Sequence, residues 1–274
     1  MPTLPPTIDT HVHFWDLKQF RYPWLDSEDC APIRTNYLPG HFMADCDGLN
    51  VRGAVHVQAD IDRSVDPVEE TRWLASVLSE AHDLPPMVCV GYADLRALDL
   101  DDVLRRHAEF KYVRGIRQEA WFGAEATLPG ILQTNLLSDP AWVAGLRKLS
   151  RSNLSFELLV KPEQLAQAAD IFHALPELPV VLEHTGVPVI ANGALPLNWR
   201  SGMRQFAKRV PQSVLKISAM GFIRSSWEVT DILPIVRESI DIFGPARCMF
   251  GSNFPVERPI WRSEERRVGK ECRS

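Results

Sequence analysis

The chain has 274 residues, 45% of them hydrophobic and 24% charged, a balance that excludes a disordered chain. Thirty basic against 35 acidic residues leave a net charge of −5, so charge gives no case for nucleic acid as a partner. No run approaches the roughly 18 apolar residues of a membrane span. The opening Met1-Pro2-Thr3-Leu4-Pro5-Pro6 has neither a basic start nor an apolar stretch, and no secretory leader is expected. Cys30, Cys46, Cys89, Cys248 and Cys272 are odd in number, scattered and without a CxxC pair, as expected of reduced thiols in a cytoplasmic protein.

Short β-rich runs alternate with amphipathic ones along the chain. Strands are predicted at 8–14, 53–59, 87–93, 112–118, 154–160, 180–184, 213–219 and 247–251. Between them, helices are predicted at 67–82, 100–110, 141–150 and 200–210. Leu165, Ala168, Ala169 and Phe172 share one helical face, as do Val229, Ile232, Leu233, Val236, Ile240 and Phe243. In that last helix Pro234 is compatible only with the first turn. Eight strands separated by helices in about 250 residues have the size and rhythm of a (β/α)8 TIM barrel. A doubly wound open sheet would carry a glycine-rich turn after its first strand, whereas no glycine follows that strand until Gly40.

Residues 262–274, RSEERRVGKECRS, hold five basic and three acidic side chains and no apolar face. They resemble the translation of a sequencing-library adapter and are expected to be a non-native tail after a single domain spanning residues 1–261. On that reading the barrel lacks its final closing helix, and the apolar surface of strands one and eight is left partly unshielded.

The chemistry is concentrated at strand ends. In Ile8-Asp9-Thr10-His11-Val12-His13-Phe14 two imidazoles stand two apart, and side chains at i and i+2 share one face of a strand. At the C-terminal end of a barrel strand such a pair suits a metal ion, although the spacing also arises by chance on an amphipathic strand. His184 ends the apolar run 180–183 before Thr185-Gly186-Val187-Pro188, and Gly251-Ser252-Asn253-Phe254-Pro255 follows the eighth strand. Arg117 ends the fourth strand, where it can clamp a substrate carboxylate or polarise a carbonyl. Gln58 ends the second strand and can bond substrate hydroxyls. Glu157 and Lys216 lie inside apolar strands, where an unpaired charge is costly, so they either point into the barrel and pair there or face a polar top layer, and substrate contact and a structural role are both open to them. Trp15 and Trp121 are placed to wall a sugar-like ring, while aromatics at the density of the first loop equally suit a plug in the barrel mouth. His56 and His173 read as structural.

The motifs IDTHVHFWDL, RYPWL, VHVQAD, VRGIRQ, LEHTGVP, LKIS and MFGSNFP resemble the amidohydrolase superfamily. The similarity is to its branch of metal-dependent (β/α)8 hydrolases acting on sugar lactones and dicarboxylate lactones. The resemblance implies a divalent metal, zinc or manganese, held by His11, His13, His184 and the residue at 253. It also implies a water activated by the metal or by His184, and a small-molecule substrate. One departure stands out: the family has aspartate in the last motif and this chain has Asn253. An amide is neutral and accepts no proton, although its carbonyl oxygen can still coordinate. The leading expectation is a lactone hydrolase. A decarboxylase-type lyase and a non-catalytic binding relative are the alternatives, and the oligomeric state is not legible.

Overall fold

The computed structural model describes residues 5–81, 84–122, 134–188, 195–223 and 229–258. Eight strands are present among the described residues: β1 (Thr7–Val12), β2 (Val51–Val57), β3 (Met87–Tyr92), β4 (Val113–Arg117), β5 (Ser155–Leu158), β6 (Val180–Leu182), β7 (Ser213–Ile217) and β8 (Cys248–Phe250). They lie in chain order in one sheet, each parallel to the next. Crossover helices make that arrangement possible: α1 (Pro39–Asp45), α2 (Val68–Glu80), α3 (Leu100–Ala108), α4 (Pro140–Leu149), α5 (Leu165–His173), α6 (Leu197–Arg209), α7 (Met220–Ile223) and α8 (Val229–Phe243). No helix among the described residues is long and apolar enough to cross a membrane. The expected domain limit and tail fall on residues 259–274, outside the described residues.

The sheet curls until its last segment returns to its first. Val12 bridges Phe254 in parallel, the amide of Asn253 donates to the carbonyl of His11 at 2.8 Å, and that of His13 to Phe254 at 2.8 Å. Side chains complete the seam. Thr10 Oγ1 donates to the carbonyl of Phe250 at 2.7 Å. Asp9 Oδ1 accepts the amides of Ser252 at 2.9 Å and His11 at 3.1 Å. On the outside of the same strands Ile8 and Phe250 are more than half exposed.

Helices pack on the barrel through an aromatic series. Trp142 of α4 meets Phe156 of β5 edge-on at 5.7 Å, Phe156 stacks on Phe172 of α5 at 5.9 Å, and Phe172 meets Phe206 of α6 at 6.4 Å. All four are fully buried, and each contributes about 1.5–3 kcal/mol of burial. The predicted face of α5 is the one that packs, with Leu165, Ala168, Ala169 and Phe172 buried.

α8 differs from expectation in two respects. Its buried face runs through Ile235, Ser239 and Phe243 while Val229 is 65% exposed, because the helix meets the barrel at its C-terminal half. Pro234 is its sixth residue, past the first turn. The missing N–H therefore frees a carbonyl only one turn from the helix start, where water can satisfy it.

Candidate active site

β1 ends one residue before His13, and the strand's pleat puts His11 and His13 on the same inward face. Both are buried, as are His184 and Asn253. The ring of His11 lies 4.9 Å from that of His13 and 4.6 Å from that of His184. Three imidazoles from distant stretches of chain thus meet at one end of the barrel.

Hydrogen bonds fix which atoms face which. His13 Nδ1 donates to the carbonyl of Val57 at 2.8 Å. A neutral imidazole carries one proton, so Nε2 of His13 presents a lone pair. His11 Nε2 lies 3.1 Å from it on one side and Asn253 Oδ1 lies 3.3 Å from it on the other. Burial keeps these rings uncharged. It lowers His13 to about 3, helped by the Arg117 guanidinium. It holds His184 at about 4 against the pull of Glu183, with Arg117 and Lys216 adding to the lowering. His11 is driven well down by burial and by Lys216.

His11 turns its other nitrogen to a buried ionic network. Its Nδ1 is 3.4 Å from Lys216 Nζ and 3.5 Å from Glu183 Oε1. The Lys216 ammonium donates to both oxygens of Glu157, at 2.6 Å for Oε1. Arg117 Nε donates to Glu183 Oε2 at 3.0 Å and its Nη2 to Glu119 Oε1 at 2.8 Å. Glu157 and Lys216 therefore satisfy the pairing expectation. Burial raises Glu157, against the Lys216 charge. For Glu183 burial pushes upward, but Arg117, His184, a hydrogen bond with Glu157 and Lys216 together hold the carboxyl below its usual range.

The loops that carry these groups leave the strands through left-handed backbone. Asp60, His184, Thr185, Val187, Ala219 and Asn253 all have φ between 47° and 58°, at roughly 1–2 kcal/mol each for a residue with a Cβ. Hydrogen bonds hold the turn after β6 in place. Thr185 Oγ1 donates to the carbonyl of His184 at 2.6 Å, Trp199 Nε1 to that of Thr185 at 2.7 Å, and the Val187 amide to His184 at 2.8 Å. His184 Nδ1 pairs with Ser218 Oγ at 2.8 Å.

Other expected contacts are placed differently. Trp15 is fully buried, gives its indole N–H to the carbonyl of Thr35 at 2.6 Å and packs edge-on against Trp24. It belongs to the plug, because a ring with no accessible surface cannot stack on a substrate. Arg117 is no open clamp, since its guanidinium lies between two carboxylates. Gln58 Oε1 accepts the amide of Asp60 at 2.8 Å, while its buried Nε2 has no hydrogen-bond partner among the described residues. Trp121 Nε1 is likewise buried without a partner, with the Lys161 ammonium 5.8 Å from the ring. Asp9, Glu119, Glu183 and Ser218 escaped sequence reasoning. For Glu183 a signal existed: an acid closing the apolar run Val180-Val181-Leu182 beside His184.

The amidohydrolase family model matches residues 8–271. The chain belongs to the amidohydrolase family. It is 34% identical over 258 residues to the uncharacterized protein y4mH of Sinorhizobium fredii, covering 92% of this chain and 85% of that protein. It is 26% identical over 264 residues to L-fucono-1,5-lactonase of Burkholderia multivorans, covering 91% of this chain and 82% of that protein. A zinc-bound amidohydrolase structure from Burkholderia multivorans superposes at a TM-score of 0.75 and 25% identity, covering 98% of this chain and 91% of that one. This amidohydrolase is accordingly a hydrolase acting on a small molecule, and its (β/α)8 barrel is the one the strand rhythm predicts.

Its donor atoms fit a divalent metal, and they do so on one side of His11. His11, Glu157 and Glu183 offer ligand atoms within 4.8 Å of one another, but the Lys216 ammonium already supplies a positive charge there. On the Nε2 side the imidazoles are held uncharged by burial, which is the form a metal requires. Two nitrogens on one tetrahedral zinc are roughly 3.4 Å apart, close to the 3.1 Å between His11 and His13. Without an ion, the Nε2 lone pair of His13 faces the carbonyl oxygen of Asn253 with no proton between them.

Proposed function

We propose that this amidohydrolase opens a small, uncharged, sugar-type lactone. The observation that carries the reading is the convergence of neutral His11, His13 and His184 with Asn253 at one mouth of the barrel. The lactonase relative supports the substrate class. Uncharged lactones are favoured over carboxylated ones because Arg117 is held by Glu183 and Glu119, and Lys216 by Glu157. A substrate carboxylate entering here would meet acids already in place. Free thiols at Cys30, Cys46, Cys89 and Cys248 suit a cytoplasmic enzyme.

In this reading His11 Nε2, His13 Nε2 and Asn253 Oδ1 would hold a zinc or manganese ion. When bound, such an ion supplies Lewis acidity toward the lactone carbonyl and toward water. His184, kept neutral by burial, accepts the proton of the attacking water. Ser218 Oγ accepts from Nδ1 of His184 and orients that ring. His184 then returns the proton to the ring oxygen as the ester bond breaks. Gln58 Nε2 and Trp121 Nε1, both without a hydrogen-bond partner among the described residues, are donors for the sugar hydroxyls.

The test is hydrolysis of a panel of aldonolactones, followed by proton release, with zinc or manganese added. Turnover that His11→Ala abolishes is expected. No turnover of any lactone by the metal-loaded protein overturns the reading, and carbon dioxide released from an aromatic acid would point to a lyase instead.

A further inference from the structure

Resting on the metal reading above, we infer that Glu183 is a positioning residue that selects the metal-binding tautomer of His11. The two nitrogens of His11 have incompatible partners. Because His13 gives its Nδ1 proton to Val57, its Nε2 has only a lone pair to offer, and the 3.1 Å contact with His11 Nε2 is a hydrogen bond only if His11 carries its proton on Nε2. In that tautomer Nδ1 is bare and accepts from Lys216 Nζ at 3.4 Å.

An ion on the Nε2 side reverses the requirement. Nε2 of His11 must then be bare, and the single proton resides on Nδ1. Lys216 has no lone pair to receive it. Glu157 is occupied by the Lys216 ammonium through both oxygens. Glu183 Oε1 is the remaining acceptor: it is 3.5 Å from Nδ1, wholly buried, and has no hydrogen-bond partner among the described residues. Its other oxygen is fixed by Arg117, which Glu119 fixes in turn. The line Glu119, Arg117, Glu183, His11 thus aims one carboxylate oxygen at the proton that metal binding displaces.

The experiment combines zinc affinity, from competition with a chelating dye, and imidazole 15N shifts of the full-length protein with and without zinc. On adding zinc, the His11 proton is expected to pass from Nε2 to Nδ1. Glu183→Gln, whose amide presents a donor to Nδ1, is expected to weaken zinc binding by roughly 10–100-fold. The wild-type shifts carry the test even where that variant does not fold. If wild-type protein binds zinc but His11 keeps its proton on Nε2, or if Glu183→Gln binds zinc within twofold of wild type, the inference is overturned while the metal reading stands. If wild-type protein binds no zinc, both fall.

Discussion

Asp9, on the first strand, accepts the backbone amide of Ser252, beyond the last strand, at 2.9 Å. The same oxygen takes the amide of His11, so one carboxylate ties the seam of the barrel to the residue that faces the site. Asp9→Ala leaves the buried amide of His11 and the part-buried amide of Ser252 unpaired and is expected to cost about 1–3 kcal/mol. Asp9→Asn keeps an acceptor and is expected to recover most of it. Urea unfolding measures both, and equal losses in the two variants would remove Asp9 from this role.

Gly251 lies where the seam is tightest. A Cβ there would stand 2.7 Å from His11 Cβ and 3.3 Å from the His11 amide nitrogen. Neither atom is the end of a flexible side chain. Gly251→Ala is expected to lower stability by about 1–3 kcal/mol and to weaken zinc binding with it, since the displaced atom carries the His11 ring. A thermal melt at wild-type temperature would contradict the packing.

Asn253→Asp places a formal negative charge beside His13 without changing shape. A full charge at contact distance of a divalent ion is worth at least ~1.4 kcal/mol even with strong screening, so zinc affinity is expected to rise roughly tenfold or more. Dye competition reads it directly. Unchanged affinity would place residue 253 outside the ion's reach.

Stability of the metal-free protein is expected to peak near pH 6.5. His11, His13, His107 and His184 are all lowered from 6.5, chiefly by burial. The unfolded chain therefore takes up protons below 6.5 that the folded chain refuses, and this stability is lost as pH falls from 6.5 toward 4. Asp9, Glu119 and Glu157 are raised above their ordinary values by burial, so they hold protons the unfolded chain has released, and stability declines as pH rises through that range. Four imidazoles outweigh three carboxyls below 6.5, and only the carboxyls act above it. Melting temperature across pH 4 to 8 checks the sign on each side.

The strands were legible because each is a short apolar, β-branched run bounded by turn residues, a local property. The HxH pair was legible for the same reason, since a two-residue spacing on a strand settles the shared face. What stayed hidden depends on partners far along the chain. Asp9 is one residue among many acids until Ser252, 243 positions later, arrives beside it. Arg117 reads as a free cation at a strand end, and only the fold delivers Glu183 to occupy it. Trp15 illustrates the converse, because an aromatic loop looks alike whether it plugs a barrel or lines a cleft. For α8 the periodicity gave the helix but not its docking point, which the barrel's curvature decides.

The left-handed residues at the ends of β2, β6, β7 and β8 have a practical corollary. Glycine at Thr185 or Val187 would relieve an unfavourable backbone, so a screen for heat tolerance would be drawn to the turn that sets the angle of the His184 ring. On the role proposed for His184, heat tolerance gained at that turn would come at the expense of the ring's fixed angle.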